Sequence, residues 1–412
     1  MDSEAGRRPW LARRVLLGVT GGVAAYKSVQ VARDLTLLGA EVDVVLSAAA
    51  RRFVTPLSFE AVTGRRALTE LFSAEGAARH LRLGSDADAV CVAPATADFL
   101  GRMAAGRADD LLTTSLLAVR APILLFPAMN TLMLEHPRVA ANLEKLRGTS
   151  GVEICGPGVG RLAAGEVEGA GRMLEPDEIT ALVGRALGSA RLGALASRKV
   201  LVTAGPTREP VDTVRYLGNR SSGRMGYALA ESAWLRGADV VLVTGPSELS
   251  VPDGIAVRRC ETAREMRDRV VEIAPDRDLC IFAAAVADLR PRQTAERKLK
   301  RRDLPEEVFL ELAPNPDVAL AAVQAMENEG FSVGFALESE NMLENARAKL
   351  VGGRFDMVVA NPAGDPDAGF GATTNRVTVL RPGREPEKLP LMEKTRVADA
   401  ILDRIETALE RR

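Results

Sequence analysis

The 412-residue sequence predicts an α/β protein built from two Rossmann-like, open-sheet domains. Three observations carry that prediction. Short apolar runs of strand length alternate with amphipathic helical stretches along nearly the whole chain, the pattern of βα units around a parallel sheet. Aromatic residues make up only 4% of the chain while Ala, Val, Leu and Gly are abundant, which suits packed βα layers better than a β-sandwich or a base-stacking platform. Near the middle, Gly188–Ser197 is rich in Gly, Ala and Ser and reads as a linker (188–197) between domains at 14–187 and 198–412.

Bulk properties exclude several classes. Lys+Arg 54 against Asp+Glu 55 leaves a net charge of −1, so a broad nucleic-acid or anionic-membrane partner is not expected. The four cysteines are scattered, with no CxxC pair and no His at metal-ligand spacing. Cys91 and Cys280 sit in apolar runs and read as buried thiols. That usage points to a reducing, cytoplasmic setting without disulfides or zinc. Residues 1–13 carry charge but no apolar core, so a disordered tail is expected rather than a signal peptide. No stretch approaches the roughly 18 uninterrupted apolar residues of a membrane span.

In order, Val15–Val19 is a strand, Thr20-Gly21-Gly22 a turn, and the helix that follows runs to Leu38, with Gly39 ending it before the strand Val42–Leu46. The glycines Gly18, Gly21 and Gly22 do not fit G-x-G-x-x-G, and Ser47 stands where an acid would hold a ribose. A dinucleotide is therefore disfavoured; a mononucleotide phosphate at Thr20 and a ligand-free tight turn both remain open. The strands Ala89–Ala93 and Ile123–Phe126 end in Pro94-Ala95-Thr96-Ala97-Asp98 and Pro127-Ala128-Met129-Asn130, polar groups at the strand ends where open sheets bind ligands. Gly106–Leu111 opens a helix with acids in its first turn. Gly148–Arg172 reads as an irregular, glycine-dense segment, either a mobile flap over a site or a solvated excursion. Glu178–Leu187 is a helix.

The second half is organised around Val202–Ala230: a strand (Val200–Thr203), a long polar loop, and a helix from Gly223 to Arg236 whose mouth is Ser221-Ser222-Gly223. Free backbone N–H groups and the positive helix end make an anion cradle there. It is not a Walker loop, because Arg224-Met225 stands where Lys-[Ser/Thr] would bind phosphate and magnesium. Strands Asp239–Val243, Ile281–Ala285, Ser332–Phe335 and Met357–Ala360 follow, and Arg297–Arg302 is a basic run between strands. Such a run is usually a solvated face, though one lysine of it could reach a phosphate or base.

These stretches resemble the bifunctional phosphopantothenoylcysteine decarboxylase / phosphopantothenate–cysteine ligase family of coenzyme A biosynthesis over nearly the whole chain after the tail. Gly18–Lys27, Pro94–Asp98, Ala105–Leu111, Pro127–Asn130 and Gly171–Met173 resemble flavin-dependent cysteine decarboxylase motifs. Thr203–Pro210, Val214–Tyr216, Asn219–Gly226 and Ala283–Asp288 resemble ligase motifs. The resemblance implies that domain 198–412 condenses 4′-phosphopantothenate with cysteine through an acyl-cytidylate made from CTP. It implies Asn219 as the residue steadying that intermediate. Nucleotide contacts would come from Ser221, Ser222, Gly223, Arg224, Gly226, Phe282, Ala283, Ala284, Asp288, Lys298, Pro316, Asp317, Val318, Ala319, Phe335 and Lys349. A second basic position falls near Gly353, with Arg354 beside it, and Mg²⁺ would sit on the triphosphate with Asp288 or Asp317 as its protein contact.

Domain 14–187 would then be an FMN-dependent phosphopantothenoylcysteine decarboxylase that makes 4′-phosphopantetheine. Gly18, Thr20, Gly21, Gly22, Ser47, Pro94, Thr96 and Asp98 line up with flavin-contacting positions, Asn130 with a substrate-carboxylate ligand, and His80 with the base, while His136 is read as structural. One departure stands out: the flap cysteine of the family is replaced by Ala164, and Cys155, bound water or His80 are the replacements as proton donor. Competing expectations are an active ligase whose flavin domain has lost decarboxylation, a flavoprotein binding module, and a flavin prenyltransferase, which would lack the ligase motifs. The resemblance also implies trimers of flavin domains with FMN at the subunit interface and dimers of ligase domains, together a dodecamer.

Overall fold

The computed structural model describes all residues except 1–8, 73–77, 162–167, 190–192, 253, 302–304, 328–329, 339–340, 352–353, 363–367 and 370. The chain forms two compact units, residues 1–191 and 192–412. Among the described residues no helix is long and apolar enough to cross a membrane.

The first unit is a five-stranded parallel sheet of β1 (Arg14–Val19), β2 (Glu41–Leu46), β3 (Ala89–Ala95), β4 (Ile123–Pro127) and β5 (Val152–Ile154), in the order β2-β1-β3-β4-β5. Successive side chains of a strand point to opposite faces, so β1 feeds two cores. Val15, Leu17 and Val19 pack with Val31 and Leu35 of the helix Ala25–Leu37 and with Ile179 and Val183 of the helix Pro176–Ser189. Leu16 packs on the other face with Val90, Phe99, Leu112 and Leu143. The strand order reverses between β1 and β3, and that switch point opens a crevice at their C-terminal ends.

Two expectations need correction in this unit. Residues 9–13, read as part of a disordered tail, form turns against the fold: Trp10 Nε1 donates to Thr180 O at 3.1 Å, and its ring lies over Gly184, where a Cβ would come within 2.2 Å. One aromatic ring thus anchors a segment whose neighbours read as polar. Gly148–Arg172 is not irregular throughout. It contributes β5 and then an antiparallel hairpin, β6 (Gly158–Arg161) and β7 (Glu168–Arg172). Glycine weakens strand patterning in sequence, yet here it permits close backbone approach.

The second unit contains β8 (Lys199–Ala204), the hairpin β9 (Arg208–Pro210) and β10 (Tyr216–Gly218), β11 (Asp239–Thr244), β12 (Ala256–Arg259), β13 (Leu279–Phe282), the pair β14 (Leu289–Pro291) and β15 (Leu312–Pro314), then β16 (Phe331–Glu338), β17 (Met357–Pro362), β18 (Thr374–Asn375), β19 (Thr378–Leu380), β20 (Glu387–Lys388) and β21 (Met392–Glu393). Its main sheet runs β12-β11-β8-β13-β16-β17-β19-β20, parallel as far as β17 and antiparallel beyond. The switch point lies between β8 and β13. The expected strand Ile281–Ala285 ends early, at Phe282. Ala284 N is diverted to Thr203 Oγ1 at 3.2 Å and Ala287 N to Thr207 Oγ1 at 2.9 Å, so the apolar run continues as a loop pinned by threonine hydroxyls.

The helix Arg224–Leu235 packs beside the C-terminal helix Lys394–Leu409. Just past the first helix, the half-buried Arg236 meets three carboxylates of the second: Asp399 at 3.6 Å, Asp403 at 2.9 Å and Glu406 at 2.6 Å. Ser232 Oγ donates to Asp399 as well.

Candidate functional site

Each unit carries a cavity at its switch point. In the first unit the cavity is about 1130 Å³ and is lined by Thr20–Tyr26, the loop after β2, Thr96–Asp98, Asp109–Leu112, Ala128–Asn130 and Gly171–Met173, among others. Thr20, which is buried, holds the β1 and β3 ends together. Its Oγ1 donates to Pro94 O at 2.7 Å, accepts from Thr96 N at 3.1 Å, and lies 3.1 Å from Thr96 Oγ1. Ser47 Oγ accepts from Ala50 N at 3.1 Å, fixing the loop after β2. Gly21 has no room for a side chain, since a Cβ would lie 2.3 Å from that of Ala49. The result is a floor of exposed backbone, where a large planar cofactor can approach the chain closely.

The wall comes from the motifs around Asn130 and Gly171. Met129 N donates to Gly171 O at 3.0 Å and Thr131 Oγ1 to Ala170 O at 2.6 Å, so β7 is latched onto the loop that carries Asn130. Gly171 has φ +134°, and a Cβ there would lie 2.1 Å from Met129 O. Asn130 caps the following turn through Oδ1, accepting from Leu132 N at 2.8 Å, which leaves its amide nitrogen for a ligand. The rim is charged. Arg102 binds Asp98 at 3.1 Å, Asp109 at 3.1 Å and Asp110 at 2.6 Å. Burial alone would push the Asp110 carboxyl up, but the N–H of Thr113 and the Arg102 guanidinium outweigh it and hold it low. Val23, Tyr26 and Met133 also line the cavity and are exposed, an apolar lip.

Thr20, Gly21, Gly22, Ser47, Thr96, Asp98 and Asn130 therefore converge on one cavity. Four other expected residues do not line it. Gly18 is inside β1, and a Cβ there would meet Leu112 at 2.7 Å, so its smallness serves packing. Pro94 contributes its carbonyl to Thr20 instead. His80 is on the helix Arg79–Ser85, half-buried, outside the cavity. Cys155 is buried in the core cluster with Met173, where burial raises its thiol far above the ordinary range, and it does not line the cavity. Ala164 lies outside the described residues. Arg102 carried no sequence signal.

In the second unit a cavity of about 620 Å³ is bounded by Asn219–Gly226, Phe282–Asp288, Asn315–Ala319, Phe335, Lys349, Arg354, Asn375 and Lys394, among others. Gly223 adopts φ +79° and packs its Cα side on Gly205; Gly226 leaves only 2.5 Å between a would-be Cβ and that of Ala204. These two glycines let the helix mouth sit directly on the β8 end. Asn219 Nδ2 donates to Ala285 O and Val286 O, both at 3.1 Å, tying the cradle to the loop after β13. Asn315 Nδ2 donates to Ala287 O at 2.8 Å and secures the same loop from the other side. Phe282 and Phe355 stack at 6.0 Å between centroids, with Arg354 over Phe355 at 5.1 Å.

Every nucleotide position expected from the resemblance lines this cavity except Lys298, which is exposed on a loop outside it. That loop is held by Asp212, whose carboxylate accepts from Leu299 N at 3.0 Å, and by Arg215 Nη2, which donates to Leu299 O at 2.6 Å. Gly353 lies outside the described residues, but Arg354 faces the cavity and pairs with Asp317. Asp317 also caps its helix, accepting from Leu320 N at 3.0 Å. Its charge is thus committed, which disfavours it as a metal ligand. Asp288 lines the cavity with no such partner among the described residues, and its carboxylate fits a single contact to a cation otherwise held by phosphate oxygens. Among the described residues no group of three His, Cys, Asp or Glu side chains is placed to hold a metal. Asn375 and Lys394 were missed in sequence; both come from short segments far along the chain with no recognisable spacing to Arg224.

The family model for the DNA/pantothenate metabolism flavoprotein C-terminal domain matches residues 195–409, and the Flavoprotein model matches residues 6–188. The chain is 43% identical over 400 residues to the Coenzyme A biosynthesis bifunctional protein CoaBC of Vibrio vulnificus (strain YJ016), covering 96% of this chain and 98% of the relative. It is 42% identical over 411 residues to the protein of the same name from Mycobacterium tuberculosis (strain ATCC 25618 / H37Rv), covering 97% of each. A solved structure, the C-terminal domain of Coenzyme A biosynthesis bifunctional protein CoaBC, is 36% identical, with a TM-score of 0.45 over 53% of this chain and 100% of that one.

Proposed function

The chain belongs to the family of bifunctional coenzyme A biosynthesis proteins CoaBC, and from that membership we propose how its two cavities divide the work. It is a two-activity enzyme, a ligase in residues 198–412 and a flavin-dependent decarboxylase in residues 14–187. The observation that carries the ligase assignment is Asn219 bridging the Ser221–Arg224 cradle to the Ala283–Asp288 loop over a single cavity.

In the ligase site the substrates are 4′-phosphopantothenate, cysteine and CTP. A carboxylate is a poor electrophile, so its oxygen attacks the α-phosphorus of CTP; pyrophosphate leaves and an acyl-cytidylate forms. The cysteine amine then attacks the acyl carbon and CMP leaves. The chief demand on the protein is to hold the transferring phosphoryl charge. The free N–H groups at the mouth of the helix Arg224–Leu235, with Ser221, Ser222 and the Arg224 guanidinium, meet that demand. Asn219 orients the acyl-cytidylate. Asp288 takes Mg²⁺ on the triphosphate. Lys298, exposed on a loop outside this cavity, would serve the site of a neighbouring copy in a dimer of ligase units.

In the decarboxylase site Thr20–Gly22, Ser47, Thr96 and Asp98 would hold FMN. When bound, it supplies the two-electron oxidation that places a C=S group β to the cysteinyl carboxylate and returns the hydride after CO2 is lost. Asn130 binds the substrate carboxylate through its amide N–H groups, and the Gly171 latch keeps Asn130 facing the cavity. His80, which lies outside this cavity, would act as base from a neighbouring copy in a trimer, with the exposed apolar lip at Val23, Tyr26 and Met133 as the surface such contacts would cover. A proton reaches the product from water or from that histidine. Persistence of decarboxylation without a flap cysteine is part of this reading.

The test uses the purified full-length chain with 4′-phosphopantothenate, cysteine and either CTP or ATP. Pyrophosphate release with CTP, followed by CO2 and 4′-phosphopantetheine, is the expected result. No pyrophosphate with either nucleotide refutes the ligase assignment. An oxidised or enethiol product without 4′-phosphopantetheine refutes the decarboxylase half.

A further inference from the structure

Lys394 is the first residue of the C-terminal helix, and Arg224 is the first residue of the helix packed beside it. Both line the ligase cavity. Neither helix has a side-chain cap at its N-terminus, and neither has an acid in its first turn. Two cations therefore stand at two positive helix ends, the arrangement that helix dipoles oppose. Lys394 is only 8% exposed, where an ammonium ion is costly unless compensated. Among the described residues its compensation is incomplete: Nζ donates to Ala372 O at 2.6 Å and Gly369 O at 3.3 Å, two neutral acceptors for three N–H donors. Among the described residues no carboxylate pairs with Lys394 or Arg224. Burial and the nearby Arg224 charge both lower the Lys394 ammonium below its usual value.

A buried lysine, a second cation and two uncapped helix ends around one cavity lack the same thing, a multiply charged anion. We propose that Lys394 is a phosphate-binding residue of the ligase site that, with Arg224, holds the β- and γ-phosphates of the nucleotide and stabilises pyrophosphate as it leaves. This rests on the ligase reading above, in which Ser221–Arg224 receive the triphosphate. The bond broken is the α–β phosphoanhydride, and its electron pair goes to the departing pyrophosphate oxygen, so the added negative charge appears where Lys394 and Arg224 converge. A cation there gains more in the transition state than in the ground state.

Lys394→Gln keeps N–H donors for the two carbonyls and removes the charge; Lys394→Arg keeps the charge. In the full chain, with inorganic pyrophosphate, CMP and 4′-phosphopantothenate as separate probes, the Gln variant is expected to bind pyrophosphate roughly 10- to 100-fold more weakly. CMP and 4′-phosphopantothenate affinities should stay within about twofold, and Arg should restore most of the pyrophosphate affinity. Equal pyrophosphate binding by the Gln variant and the parent overturns the proposal. So does an equal loss for CMP and pyrophosphate, the mark of a merely structural residue, or a loss confined to 4′-phosphopantothenate. If the parent releases no pyrophosphate from any nucleotide, the ligase reading itself fails instead. A melting temperature for each variant separates unfolding from loss of binding; should Gln not fold, Lys394→Met carries the same comparison.

Discussion

Asn219 reaches across the ligase cavity to Ala285: its amide nitrogen donates to that carbonyl at 3.1 Å and to the next one, of Val286, at the same distance. One side chain thereby sets the spacing between the anion cradle and the loop that ends in Asp288. Asn219→Asp keeps the shape but turns a donor into an acceptor facing two carbonyls. Pyrophosphate release should fall by about 100-fold, the scale of a site displaced by an ångström. Decarboxylation of supplied phosphopantothenoylcysteine should be untouched, and assaying the two activities on one sample checks both halves of that statement.

Gly171→Ala puts a Cβ where only 2.1 Å separates it from Met129 O, at a φ of +134° that other residues rarely adopt. The β7 latch must shift, at a cost of about 1–3 kcal/mol. Decarboxylation should drop at least tenfold, by roughly the same free energy, while ligation holds. Retention of full decarboxylase rate by a folded Ala variant would show that the latch does not position Asn130.

Thr20→Val is nearly isosteric and leaves Pro94 O and Thr96 N without their buried partner. The first unit should lose about 1–3 kcal/mol in chemical denaturation. Copurifying flavin, read from its visible absorbance, should fall with it.

Asp212 is held well below the usual carboxylate range, first by the Arg215 guanidinium and then by the N–H groups of Leu299, Val214 and Arg215, against the opposing effect of burial. A carboxyl whose native value is depressed contributes stability that is fully present above its unfolded value of about 3.9 and is lost as pH falls through the native value. Asp212→Asn should therefore weaken the second unit at neutral pH. The gap between variant and parent should shrink steadily as pH is lowered below about 4. Denaturant midpoints measured across that range decide it, and a gap that does not change with pH counts against the account.

The sheet cores were legible because β1, β3 and β8 are short, mainly apolar runs with a Gly or Pro at or just past their ends, and the cradle was legible because its strand, loop and helix are contiguous. Boundaries failed where side chains intercept the backbone, as Thr203 and Thr207 do after Phe282. Gly148–Arg172 hid three strands, the last two because Gly160, Gly169 and Gly171 carry no side-chain alternation to read. Lys394 and Asn375 were invisible for another reason: residues over 150 positions from Arg224 are brought to its cavity by the short β18–β21 pairing and, for Lys394, by the packing of the two helices. Cys155 shows the converse error, a residue type suited to the chemistry whose position in the core removes it from the site.

The Arg236 cluster has a mechanical consequence. Three carboxylates clamp the trailing ends of two neighbouring helices, and the leading ends of the same helices carry Arg224 and Lys394. The pair works as a caliper: the screw is at the back, and the gap that it sets is at the front. Trimming the chain beyond residue 398 would remove no residue that lines the cavity, yet it would take away all three carboxylates together with the buried Ile401, Leu402 and Ile405. The C-terminal helix therefore bears on the second cavity through residues that do not line it.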